Sequence, residues 1–192
     1  MVRGNNDNQQ MHLNPTPISL FVKAVAFAAD RHRNQRRKDA DASPYINHPI
    51  ALANVLANEG GVTELKVLCA AVLHDTIEDT ETTSEVLTTI FGPDITAIVL
   101  EVTDDKSLDK LVRKQRQIDH APHISEEAKL VKLADKICNL RDVLASPPAD
   151  WSSERKQSYF EWAAKVVFGI RGVHPELEAA FDRILARQDE LR

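Results

Sequence analysis

The sequence predicts an all-α domain, and three observations carry that expectation. The 192-residue chain has only six glycines and 5% aromatic residues, while Ala, Leu, Val, Glu, Lys and Arg dominate, a helix-forming composition. Its apolar residues recur at three- and four-residue spacing in one segment after another. No stretch alternates apolar and polar residues over the length of a strand, and no repeat or internal linker divides the chain. The length suits one domain with a core of its own.

The elements follow in order. Residues 1–14, headed by MVRGNNDNQQ, read as a polar, flexible tail, with the folded domain occupying 15–192. A first helix is expected from Pro17 to about Asn34, with Leu20, Phe21, Ala24, Val25, Phe27 and Ala28 on its apolar face and a basic cluster from Arg31 to Lys38 at its end. After a loop, Pro49 is fitted to open a second helix, which Gly60-Gly61 stops. Thr63 is the expected N-cap of a third helix, which continues through Val67–Leu73 into His74-Asp75-Thr76-Ile77-Glu78-Asp79. Thr83 or Ser84 opens a short helix closed by Gly92-Pro93, and another runs from Asp94 to Val102. Leu108–His120 reads as a charged helix. Ser125, followed by Glu126 and Glu127, starts a long one through Leu144, which Pro147-Pro148 ends. Helices over Ser153–Gly172 and Pro175–Arg192 complete a bundle of about eight to ten.

Composition also excludes functions. A formal charge of −5 gives no basis for holding polymeric nucleic acid by overall charge. No apolar run approaches the ~20 residues that span a membrane, and the N-terminus lacks an apolar signal core. A cytoplasmic protein without a membrane partner is expected. Cys69 and Cys138, both in apolar helical segments, read as small buried hydrophobes in a reducing compartment. The sequence leaves the oligomeric state open.

The chemistry concentrates at 74–79. On one helix His74 would stack on Glu78 and Asp75 on Asp79. Such a density of carboxylates is costly to bury without a cation. His48 at a helix start and Asp135 within an apolar stripe add an imidazole and a carboxylate. Two imidazoles and two carboxylates suit Mn²⁺, Fe²⁺, Co²⁺ or Zn²⁺. Taken singly, His48 also reads as a capping residue, Asp135 as a partner of Lys132 or Lys136, and Glu78-Asp79 as a solvated helix end. Arg37 and Lys38 equally suit a helix C-terminus, where cations complement the dipole.

A His followed 26 and 27 residues later by His-Asp, and then by a distant Asp, resembles the HD phosphohydrolase pattern. QRRKD (35–39), PYINHPI (44–50), VLHDTIEDT (72–80), FG (91–92), EVTDDKSL (101–108), KLVKLADKICNLRD (129–142) and YFEWA (159–163) narrow the likeness. Together they resemble the hydrolase domain of RelA/SpoT enzymes, and most closely its stand-alone form, the small alarmone hydrolases of the metazoan SpoT homologue type. The resemblance runs from about residue 18 to 190.

It implies a single HD-domain helical bundle holding one Mn²⁺ per chain, with His48, His74, Asp75 and Asp135 at the ligand positions. It implies hydrolysis of guanosine 3′-diphosphate 5′-di- or triphosphate to GDP or GTP and pyrophosphate, with Glu78 and Asp79 handling the attacking water. Arg37 and Lys38 match a substrate-binding pair, the arginine beside the guanine base and the lysine nearer phosphate. Asn139 matches a residue near the ribose, and Lys110, Arg155 and Tyr159 match further nucleotide contacts. His32, His120, His123 and His174 match no motif and are expected at the surface or in packing. The alternatives are an HD phosphatase acting on another nucleotide such as NADPH, or a catalytically silent nucleotide-binding sensor. The intact Glu78-Asp79 pair argues against the sensor.

Overall fold

A computed structural model describes residues 16–191, so the expected tail at 1–14 lies outside the described residues. Ten α-helices form among them: α1 (Pro17–Arg31), α2 (Asn47–Asn54), α3 (Leu65–Leu73), α4 (Thr76–Asp79), α5 (Ser84–Phe91), α6 (Pro93–Val102), α7 (Lys110–His120), α8 (Glu126–Ala145), α9 (Ser153–Phe168) and α10 (Pro175–Leu185). No strand forms among the described residues, and a single isolated bridge joins Arg36 to Pro44. The protein is all-α.

Helix α3 is the axis. Six of its nine residues, Val67 and Cys69–Leu73, are buried, and it packs against α1, α2, α6 and α8. The other long core element is α8, whose stripe of Val131, Leu133, Ala134, Ile137 and Leu140 is wholly buried. The expected caps at Thr83 and Ser125 are made, and Thr16 adds one that was not expected; each side chain accepts an N–H three residues on. Gly92, at φ 87° between α5 and α6, is in the left-handed region that a side chain resists.

Several boundaries differ from expectation. Thr63 is not the cap of α3; Glu64 holds that position and makes no side-chain bond there. Helix α2 begins before Pro49, at Asn47, and its end widens into a π-turn over Val55–Glu59, with Gly60 N–H donating to Val55 C=O. α1 stops at Arg31 because the chain folds back, Arg37 N–H donating to Ser43 C=O and Tyr45 N–H to Gln35 C=O. α9 ends at Phe168 and α10 at Leu185, each followed by tighter turns rather than continuing to Gly172 and Arg192.

One further difference matters most. His74-Asp75 does not lie inside one helix but forms the turn between α3 and α4, with Asp75 at φ −96°, ψ 0°. Side chains explain the break. His74 Nδ1 lies 2.8 Å from Ala71 C=O and Thr76 Oγ1 donates to Leu73 C=O at 2.6 Å, engaging carbonyls that an unbroken helix gives to its own N–H groups.

Candidate metal centre and nucleotide cleft

Three helices bring the donors together. His48 is the second residue of α2, His74 follows the last residue of α3, and Asp135 sits midway along α8. One ligand atom from each lies within 4.8 Å of the other two, and both histidines are buried. Asp75 adjoins this group, its Oδ2 2.9 Å from His74 Nε2. Neighbours in sequence do not face one another on a regular helix; the turn permits this contact, and it replaces the expected stacking of His74 on Glu78.

The His74 tautomer follows from its surroundings. Nδ1–H donates to the Ala71 carbonyl, which leaves Nε2 pointing into the centre. Nε2 is buried without an assigned hydrogen-bond partner, 2.9 Å from Asp75 Oδ2. His48 Nε2 lies 3.3 Å from Asp135 Oδ1. Imidazoles and carboxylates crowded at these separations fit a divalent cation, so His48, His74 and Asp135 form a candidate metal site with Asp75 beside it.

The carboxylates of this group favour a positive charge beside them. Burial works against charge on His74, but the Asp75 carboxylate overrides it and lifts the imidazole to about 9. Burial likewise opposes charge on Asp75 and Asp135, yet His74 holds the first, and Lys136 and His48 the second, below the carboxylate range. His48, where burial dominates, is pushed down. The Tyr45 hydroxyl donates to Asp75 Oδ2, and burial raises its pKa.

Glu78 and Asp79 sit in α4, beyond the turn. Glu78 accepts from Asp104 N–H at 3.0 Å. Burial, opposed by that bond and assisted by the charges of Asp75, Asp104 and Asp79, raises its carboxyl to about 7. Asp79 accepts from Gln35 Nε2 at 2.7 Å and pairs with Lys106.

A cleft of about 490 Å³ opens beside these groups. Arg37, Lys38, Tyr45, Asp79, Lys106, Asn139, Trp151 and Tyr159 line it. Asn139 Nδ2 donates to Asp135 Oδ1 at 2.6 Å, so it links the cleft to the metal group. Arg37 pairs with Asp142 and lies over the Tyr45 ring at 5.6 Å. Tyr159 packs between Trp151 and Trp162, with ring centroids 5.3 and 5.2 Å away.

Two expected nucleotide contacts are placed elsewhere. Arg155 is not among the residues lining the cleft, its guanidinium lying over Trp151 at 4.6 Å and near Asp150. Lys110 opens α7 outside the cleft lining. Conversely, sequence reasoning gave no role to Gln35, Tyr45, Lys106 or Trp151. The first three lie inside quoted motifs, QRRKD, PYINHPI and EVTDDKSL, which was an available signal; Trp151 follows the Pro147-Pro148 break with no pattern to mark it. Of the two roles expected for His32, it takes the packing one: it is buried, 2.7 Å from Gln35 Oε1, and stacked near Tyr45.

Known proteins share this architecture. The HD domain family matches residues 24–164. Guanosine-3′,5′-bis(diphosphate) 3′-pyrophosphohydrolase MESH1 of Xenopus tropicalis is 52% identical over 170 residues, spanning 88% of this chain and 95% of that protein. The Homo sapiens MESH1 is 52% identical over 168 residues, spanning 88% and 94%. A solved structure, described as a metazoan orthologue of SpoT that hydrolyses ppGpp, superposes with a TM-score of 0.86 at 45% identity and covers 91% of this chain and 97% of its own. On this family match and these identities, the chain belongs to the HD domain family, in the group that contains the MESH1 proteins.

Proposed function

We propose that this protein is a guanosine-3′,5′-bis(diphosphate) 3′-pyrophosphohydrolase that converts ppGpp or pppGpp to GDP or GTP and pyrophosphate. One observation carries the reading: a buried His/Asp cluster, a carboxylate raised to about 7 and a cleft lined by Arg37, Lys38 and Lys106 adjoin one another. The MESH1 relatives are named for that reaction.

In this proposal His48, His74, Asp75 and Asp135 hold one Mn²⁺ per chain. Bound there, the ion would supply Lewis acidity toward a phosphoryl oxygen and toward water. Glu78, half ionised near neutrality, takes the proton of the attacking water as its oxygen joins the phosphorus attached to the ribose 3′-oxygen. That phosphorus–oxygen bond breaks, the 3′-oxygen leaves and gains a proton, and pyrophosphate is released. Asp79, fixed by Gln35 and Lys106, orients the water.

Arg37 flanks the base and Lys38 meets phosphate, a division suited to a planar fork and a point charge. Asn139 reaches the ribose while restraining Asp135, and Tyr159 offers the base an aromatic wall. Lys110 and Arg155 bind substrate from their positions on α7 and α9 only if those side chains swing toward the cleft. No helix among the described residues is long and apolar enough to cross a membrane, and we assign the enzyme to the cytoplasm, with the catalytic domain spanning 15–192.

Side-by-side turnover of ppGpp and NADPH by metal-analysed protein tests the reading. Pyrophosphate release from ppGpp is expected to exceed phosphate release from NADPH. The reverse order would overturn it.

A further inference from the structure

A line of hydrogen bonds leaves the candidate metal centre and reaches Glu78 by another route. The Lys136 ammonium lies 2.9 Å from Asp135 Oδ2 and donates to Gln117 Oε1 at 3.1 Å. Gln117 Nε2 donates to Asp104 Oδ2 at 2.6 Å. Asp104 N–H then donates to Glu78 Oε2 at 3.0 Å, where the line ends. It passes from α8 through α7 to the 103–109 segment and on to α4.

Lys136 can only donate and the carboxylates can only accept. Gln117 is the side chain in this line that does both, one end of its amide on each arm. The Lys136 arm is tightly confined: only 2% of the residue is exposed, and its ammonium lies 4.3 Å over the Trp162 ring. A donor so enclosed cannot turn to bulk water if an acceptor is removed, so losing Gln117 leaves one of its N–H groups unpaired and Asp135 as its remaining acceptor. The Asp104 arm fixes the backbone N–H that meets Glu78. Gln117 itself is absent from the nucleotide cleft and lines a separate cavity of about 420 Å³ with Asp104 and Lys132. It is therefore placed to act on the reaction without touching the nucleotide.

We infer that Gln117 is a positioning residue for the hydrolysis, one amide setting both the Lys136–Asp135 pair and the segment that holds Glu78. This rests on the proposed function for its kinetic readout, but the metal-binding readout below stands independently of the substrate. A residue that merely docked α7 would change stability and leave the partition between kcat, KM and metal affinity alone.

The experiment compares Gln117→Leu, Gln117→Glu, Asp104→Asn and Asp104→Ala in the full chain. It measures kcat and KM for ppGpp, and Mn²⁺ affinity by calorimetry without nucleotide. Gln117→Leu is expected to lower kcat about 10–100-fold with KM within about threefold, and to weaken Mn²⁺ binding about tenfold, the usual cost of an outer hydrogen-bond partner. Gln117→Glu keeps the acceptor for Lys136 and loses the donor for Asp104, so kcat falls while Mn²⁺ affinity stays near wild type. Asp104→Asn keeps a carbonyl acceptor for Gln117 and holds kcat within about threefold, whereas Asp104→Ala falls with Gln117→Leu.

Adding Asp104→Ala to Gln117→Leu lowers kcat no further, because residues acting as a unit are not additive. Wild-type kcat and Mn²⁺ affinity in Gln117→Leu, or a loss confined to KM, would overturn the inference. Should Gln117→Leu fail to fold, wild-type kcat in Gln117→Glu would overturn it instead. A wild-type enzyme that binds Mn²⁺ but does not hydrolyse ppGpp would sink the proposed function, while the Mn²⁺ affinities would still decide the role of Gln117.

Discussion

At the scale of single residues, the proposed mechanism turns on Glu78. Burial raises its carboxyl from 4.5 to about 7, so the folded protein holds a proton there that the unfolded chain gives up earlier. Between those two values the folded state binds more protons, and stability contributed by Glu78 falls as pH rises. Activity runs the other way, since a base must be ionised: kcat is expected to climb through an acid limb near neutrality and level off above it. Glu78→Gln should leave Mn²⁺ bound, lower kcat by about 10²–10⁴-fold and melt at a higher temperature than wild type at pH 8, because it removes a part-buried charge. Calorimetry and a pH–rate profile check this; wild-type turnover in the variant would remove Glu78 from the mechanism. His74→Ala and Asp135→Ala should lose both metal and turnover, and full occupancy by metal analysis would show the ligand assignment to be wrong. For Arg37→Ala the loss should fall on KM, about 10–100-fold for a charge-assisted contact, and an unchanged KM would count against its place in the cleft.

At the scale of elements, the apolar periodicity of α3 and α8 and the caps at Thr83 and Ser125 were readable because they are local properties of the sequence. The break after Leu73 was not. It depends on His74 and Thr76 turning their side chains back onto carbonyls, and either residue could equally have faced outward on a continuous helix. The same limit hid the cap of α3, where Thr63 had the right chemistry and Glu64 the position. The turn at Gly92 is one element boundary with a direct test. Gly92→Ala places a side chain at φ 87° and is expected to cost about 1 kcal/mol in denaturant unfolding. An unchanged midpoint would mean the α5–α6 junction can relax.

At the scale of the whole molecule, three distant stretches of chain are gathered by the packing of α2, α3 and α8 around one core. The donor residue types could be picked out of the sequence through their motifs, but their mutual distances are set by that packing. Arg155 shows the converse: the family resemblance put it at a nucleotide contact, while its guanidinium rests on Trp151 and is absent from the cleft lining. Gln117 had no sequence signal at all, since a glutamine on a charged helix looks like solvated surface until its two partners are seen. Cys69 and Cys138 behave as the composition indicated, buried and free, with burial pushing their thiols up to about 11 and about 12.

The most direct test of the central claim is to follow ppGpp with Mn²⁺-loaded protein in ¹⁸O-labelled water and analyse both products. Attack of water on the phosphorus joined to the ribose 3′-oxygen predicts one pyrophosphate per nucleotide consumed, with the label in the pyrophosphate and none in the GDP. Release of inorganic phosphate in place of pyrophosphate, or no turnover with the metal bound, would contradict it.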